Sequence, residues 1–189
     1  IITASNNLKS FKCFINYILI IFYIFVTMKI IFLDIDGVLN VYPQGHDDYG
    51  SLFHKNFEDN LKRIVDETGA KIVVSSTWRA SGLDIMKEMW SKRGIPGEVI
   101  DITTLTWEPD EEGLDFYERC ERGNEIQQWL GEHPEVTNYV ILDDDNDMLS
   151  TQQDNFIKTS DNKDHPDCVD IGYGLTNICT GKAIQILNK

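Results

Sequence analysis

Positive charge is scarce in this chain. Its 189 residues carry 17 Lys and Arg against 31 Asp and Glu, a formal net charge of −14. Lys9 and Lys12 are the only charges before Met28, so the rest of the chain carries −16. Such a surface repels polyanions, and strong non-specific nucleic-acid binding, which needs clustered Lys and Arg, is not expected. A local basic pocket for one phosphate remains compatible with that balance. Cysteine is also sparse. Cys13, Cys120, Cys168 and Cys179 form no C-x-x-C pair, and His165 near Cys168 lacks the second ligand pair a zinc site needs. The thiols read as structural or incidental, and a reducing compartment, hence a cytoplasmic location, fits best. Internal repeats and low-complexity linkers are lacking as well, so one domain is expected from residues 28–189.

Long apolar runs are limited to one. Phe14–Val26 is 13 residues long, against the roughly 20 that span a bilayer. No small-x-small cleavage site follows it. Instead Met28 arrives and a strand begins at once. Residues 1–27 are therefore read as an apolar extension outside the fold, upstream of an initiator at Met28. The alternatives are a membrane anchor through residues 14–26 and a secretory leader, and a membrane is a partner only if this segment is genuine.

What is present alternates between strands and helices. Lys29–Leu33 is a run of β-formers, as a buried parallel strand requires. Phe57, Leu61, Ile64 and Val65 recur at helical spacing until Gly69 stops them. Lys71–Ser75 reads as a second strand, and Leu83, Met86, Met89 and Trp90 as a helix closing near Gly94 and Pro96. Val99–Thr103 and Asn138–Leu142 read as further strands, and Asp167–Ile171 as a short last one. Asn124–Leu130 and Thr180–Leu187 read as helices, and residues 41–56 and 105–121 as loops. The expected fold is α/β, three layers around a central parallel sheet.

Three of these strands end in chemistry. The first ends in Asp34 and Asp36, followed by Gly37. The second ends in Ser75, Ser76, Thr77, Trp78 and Arg79, and the fourth in Asp143, Asp144, Asp145 and Asp147. A parallel sheet brings these ends to one edge, where ligands bind in open α/β folds. Carboxylates so close repel one another and need a cation or a shared proton. A hard, oxygen-bound divalent ion such as Mg²⁺ is the natural partner. Arg122, just before the helix at Asn124, adds a cation. Together these are the parts for phosphoryl transfer to a carboxylate nucleophile. A metal neutralises charge, a hydroxyl and a cation hold phosphoryl oxygens, and a second carboxylate moves the proton.

Blander readings account for less. An EF-hand fails because Gly37 comes too early after Asp34 and no glycine follows Asp147. A glycosyltransferase-type D-x-D leaves Ser75 and Asp144 without a task. Trp78 reads as a packing residue, Asp145 and Asp147 as either a solvated turn or, for Asp147, a supporting acid, and Arg79 as either a substrate contact or an ion-pair partner. His46, His54, His133 and His165 read as surface residues. Asn177 breaks any G-x-G-x-x-G pattern starting at Gly172.

Asp34-Ile35-Asp36-Gly37 resembles the D-x-D-G motif of the haloacid dehalogenase (HAD) superfamily of phosphohydrolases. Its strand-terminal Ser or Thr falls on Ser75, with Ser76 the alternative. Its Lys or Arg falls on Arg122, ahead of Arg119 and Lys182, and its paired acids fall on Asp143 and Asp144. The arrangement SSTWR, RGNEIQQWL, YVILDDDND, GLT is similar to the small HAD domains of RNA-repair-like (Swiss Army Knife) proteins. Ser75 with Arg79 resembles, at longer spacing, the S-x-R phosphate grip of polynucleotide 3′-phosphatases.

The resemblance implies a Rossmann-like HAD fold with a minimal cap and a Mg²⁺-dependent phosphomonoesterase working through an aspartyl-phosphate. It implies Asp34 as nucleophile and Asp36 as general acid/base. Ser75 and Arg122 would hold the phosphoryl group, and Ser76 and Arg79 the substrate. Asp34, the Asp36 main-chain carbonyl, Asp143 and Asp144 would surround the metal. The implied partner is a phosphorylated small molecule or macromolecular end. The alternatives are a non-catalytic phosphate- or protein-binding module and a 3′-phosphatase acting on nucleic-acid ends.

Overall fold

The centre of the molecule is strand β1 (Met28–Leu33). Ile30, Ile31, Phe32 and Leu33 are all fully buried, as expected of a strand with parallel neighbours on both edges and helices on both faces. The computed structural model describes residues 28–41, 45–105, 107–108, 118–119, 122–159 and 174–189. The apolar extension 1–27, most of the loop 105–121 and the strand expected at 167–171 lie outside the described residues.

Downstream of β1 come β2 (His46–Asp47), β3 (Gly50–Ser51), α1 (Lys55–Thr68), β4 (Lys71–Val74), a 3₁₀ turn (Thr77–Ser81) and α2 (Leu83–Arg93). Then follow β5 (Val99–Ile102), β6 (Trp107–Glu108), β7 (Glu118–Arg119), α3 (Arg122–Glu132), β8 (Val136–Asp143), a second 3₁₀ turn (Ser150–Asn155), β9 (Phe156–Lys158) and α4 (Asn177–Leu187). The main sheet has the order β5-β4-β1-β8-β9 and is parallel throughout.

Side chains alternate across β1 and so divide the core in two. Ile31 and Leu33 face the side covered by α1, α2 and α4, with Phe57, Leu61, Met89 and Ala183. Ile30 and Phe32 face α3, with Ile126 and Trp129. The Phe32 and Trp129 rings meet edge to face at 5.4 Å. Helix α1 stops where the spacing predicts, at Gly69, which takes φ +70° and returns its N–H to the Val65 carbonyl.

The departures are local. Helix α3 begins two residues early and takes Arg122 into its first turn. Strand β8 extends to Val136 and Asp143. Strand β9 is only three residues long and borders β8. Two short antiparallel pairs, β2–β3 and β6–β7, stand in segments expected to be loops. Cys179 is a free, buried thiol. Among the described residues, no helix is long and apolar enough to cross a membrane.

Candidate active site

Asp34 is the first residue past β1, and its N–H donates to the Leu142 carbonyl of β8 at 3.0 Å. The chain then turns back. Gly37 takes φ +73° and donates its N–H to the Asn40 carbonyl at 2.8 Å. A Cβ at Gly37 would fall 2.1 Å from Asp144 Cγ. Glycine is therefore required twice here, for the left-handed turn and for the close approach of Asp144. The Gly37 carbonyl is tied to Thr159, after β9, whose hydroxyl donates to it at 2.8 Å.

Asp36 points outward and is exposed, yet both its oxygens are held. Asn40 Nδ2 donates to Oδ1 at 2.9 Å, and Trp78 Nε1 donates to Oδ2 at 2.8 Å. The indole expected to be packing thus grips the expected acid/base. Trp78 also packs: its ring lies 5.7 Å from that of Phe53, with the Arg93 guanidinium 5.8 Å from its centroid. Neither Asn40 nor Trp78 was among the expected site residues. The available hint for Asn40 was its position four residues after Asp36.

Ser75 follows β4 and stands level with Asp34 across the sheet, its N–H donating to the Leu33 carbonyl at 3.0 Å. Its hydroxyl is fully buried and has no hydrogen-bond partner among the described residues. Leaving such a group unpaired costs about 1–3 kcal/mol, so this oxygen is held ready for a partner from outside the chain. Ser76 is spent differently: it caps the 3₁₀ turn, accepting from the Trp78 N–H at 3.5 Å. Arg79, expected on the substrate, is only 3% exposed and is committed to protein groups. Its guanidinium reaches Glu125 Oε2 at 2.5 Å, the Thr103 carbonyl at 3.1 Å and the Ser75 carbonyl. This brace joins the ends of β4 and β5 to α3. Burial lowers the Arg79 pKa, and the Glu125 charge opposes that shift.

Arg122 reaches the centre of the site. Its Nη1 lies 2.9 Å from Asp34 Oδ1 and 3.1 Å from Asp143 Oδ2. These are ion-pair distances, though neither contact is aligned as a hydrogen bond. Burial disfavours the charged guanidinium, but the Asp34 and Asp143 carboxylates outweigh it and raise the pKa. The helix end carrying Arg122 is pinned from below. The Arg122 N–H donates to Asp147 Oδ2 at 3.0 Å and the Gly123 N–H to the Asp147 carbonyl at 3.2 Å. A carboxylate at a helix N-terminus also complements the helix dipole. Gln152, fully buried, donates to the Gly123 carbonyl at 2.8 Å. A Cβ at Gly123 would sit 2.5 Å from the Leu149 nitrogen, so the helix could not approach this loop with a larger residue. Asp147, expected as a solvated turn residue, is thus a helix cap.

Asp34, Asp143 and Asp144 each place a carboxylate oxygen within 4.8 Å of the others. Burial, with the charge of Asp34, pushes the Asp143 pKa up to about 8 against the pull of Arg122. Burial first, then Asp34 and Asp145, raise the Asp144 pKa also. Arg122 pairs with two of these carboxylates, Asp34 and Asp143. A hard divalent cation fits this all-oxygen donor set, and Asp143 Oδ2, buried without a hydrogen bond among the described residues, is a fitting ligand atom.

A parallel sheet flanked by helices, with an acid pair after its central strand and further acids after the neighbouring one, defines a Rossmann-like domain of the haloacid dehalogenase type. The chain belongs to a particular family of that type: residues 30–163 match the model described as the HAD domain in Swiss Army Knife RNA repair proteins. No curated protein matches the chain. A HAD domain places the chain within a hydrolase superfamily in general terms.

Proposed function

We propose that the chain is a Mg²⁺-dependent phosphohydrolase that cleaves a phosphomonoester through an aspartyl-phosphate. The observation that supports this best is the pairing of two differently treated carboxylates. Asp34 is buried against Arg122 in the acidic cluster, while Asp36, two residues on, is exposed and held by two N–H donors.

In this reading Asp34 is the nucleophile: its oxygen attacks phosphorus, and the bond from phosphorus to the leaving oxygen breaks. Asp36 gives the leaving oxygen its proton. It then takes a proton from water, which attacks the acyl phosphate, frees inorganic phosphate and restores Asp34. Each carboxylate oxygen has two lone pairs, so the contacts from Asn40 and Trp78 can persist while Asp36 gains and loses its proton. The Ser75 hydroxyl and the Arg122 guanidinium are the donors for phosphoryl oxygens. Asp34, Asp143, Asp144 and the Asp36 main-chain carbonyl would hold Mg²⁺, which supplies charge neutralisation for the nucleophile and the phosphate.

The test is hydrolysis of p-nitrophenyl phosphate with Mg²⁺ and with EDTA, for wild type and Asp34→Asn. Turnover that needs Mg²⁺ and disappears in the variant is expected. A wild type that binds Mg²⁺ but releases no nitrophenolate would leave only a binding module.

A further inference from the structure

Beside Asp36 lies an open groove of about 570 Å³, walled by the β2–β3 hairpin, the first 3₁₀ turn and α2. Its size is that of a small-molecule site, about 300–1,000 Å³. If Asp36 protonates the leaving oxygen, this groove receives the leaving group; that step rests on the function proposed above. Tyr49, Trp78 and Ile85 supply its apolar wall, and Ile85 is 40% exposed there. Its titratable lining includes two acids, Asp36 and Asp48, and one imidazole, His46, and no Lys or Arg is among the described residues that line it. Arg93, which reaches the hairpin, is already used. It pairs with both Asp47 oxygens at 2.6 and 2.9 Å and donates to the Gly50 and Ser51 carbonyls. Of the segments outside the described residues, 1–27 carry Lys9 and Lys12, while 109–117 and 160–173 are net acidic. Residues 109–117 contain Asp110, Glu111, Glu112 and Asp115 and no Lys, Arg or His, and residues 160–173 contain four acids against Lys163 and His165.

A phosphate in the leaving group would therefore meet Asp48, while the bases nearest the groove are engaged elsewhere: His46 with the Ser51 hydroxyl at 3.2 Å, Lys92 with Glu88 at 2.6 Å and Arg93 with Asp47. Like charges set together exclude a partner. We infer that this groove selects phosphomonoesters whose leaving group is ring-bearing and uncharged or cationic, and rejects leaving groups that carry further phosphate. Nucleic-acid ends are then poor substrates, although the site accepts the terminal phosphate itself.

The experiment separates charge from size. Three 3′-phosphates are compared: thymidine 3′-phosphate, the 3′-phosphorylated thymidine dinucleotide, and the same dinucleotide with a neutral methylphosphonate linkage. Wild-type kcat/KM with Mg²⁺ and binding to Asp34→Asn by calorimetry are both measured. The charged linkage should weaken binding and kcat/KM at least about tenfold, roughly 1.4 kcal/mol, relative to the neutral one. Asp48→Lys should narrow that ratio at least threefold. Phenyl phosphate should bind several-fold more tightly than ethyl phosphate. Equal or tighter binding of the charged dinucleotide, or no binding of any ring-bearing ester, would overturn the inference. Absence of turnover beside intact binding would instead overturn the phosphatase reading alone.

Discussion

Trp78 packs and holds a carboxylate with the same side chain. Its ring packs between Phe53 and the hairpin glycine Gly50, while its N–H holds Asp36. Trp78→Phe keeps the apolar ring and deletes the donor. The fold should survive, and kcat for an alkyl phosphate, which needs leaving-group protonation, should fall roughly tenfold, within the general-acid contribution of about 10²–10⁴. For p-nitrophenyl phosphate, whose leaving group needs little protonation, the fall should be smaller. Steady-state rates on the two esters give the comparison, and equal losses would show that the indole does not act through Asp36. This role was hidden in the sequence because donor and acceptor stand 42 positions apart. A lone Trp among Ser, Thr and Arg carries no periodicity to read. Asp34, Asp36, Asp143 and Asp144 were legible because carboxylates directly after apolar runs violate the pattern that buries those runs.

Arg79 and Glu125 act between elements. A buried ion pair contributes little net stability, yet removing one partner strands the other and costs about 3–5 kcal/mol. Glu125→Ala should therefore destabilise by about that amount in urea unfolding, while Arg79→Met with Glu125→Leu should recover most of it. A double variant as unstable as the single one would argue against the stranded charge as the cause. The hairpin is held by a second clamp, from Arg93 to Asp47. The Arg93 hydrogen bond lowers the Asp47 pKa, with burial opposing. A lowered folded-state value means that the clamp stabilises above the ordinary carboxylate pKa of about 3.9. It is lost as pH falls through the lowered value. Hydrogen exchange of residues 46–51 should accelerate selectively below that range relative to α1, and Asp47→Asn should remove the pH dependence. Elements with long apolar runs, β1, β4, β5 and β8, were readable in advance. Strand β9 was not: Phe156–Lys158 offers one buried residue and no alternation, so its place beside β8 is set by tertiary pairing.

Across the whole molecule, the acidic cluster sets stability against function. Asp34, Asp143 and Asp144 repel one another in the folded state, and Mg²⁺ should bind that state far better than the unfolded chain. Excess Mg²⁺ should raise the melting temperature, by about 2.7 kcal/mol of stability at a concentration near 100 Kd. Asp144→Ala removes one repulsive charge and one ligand. Its apoprotein should melt no lower than wild type, and its response to Mg²⁺ should shrink sharply. Paired melts with EDTA and with Mg²⁺ check this, and an undiminished Mg²⁺ shift would take Asp144 out of the ligand set. The order of the sheet has a different consequence, for how the molecule is made. Strand β1 leaves the ribosome first, but its partner β8 begins at Val136, so one edge of the most apolar strand stays open while residues 34–135 are synthesised. Non-local parallel pairing is slow, and an unpaired edge invites association with other chains. Asp34 is made with the first strand, yet Asp143 comes only with the end of β8. A ribosome stalled halfway would display an aggregation-prone strand and an acidic cluster still lacking Asp143 and Asp144.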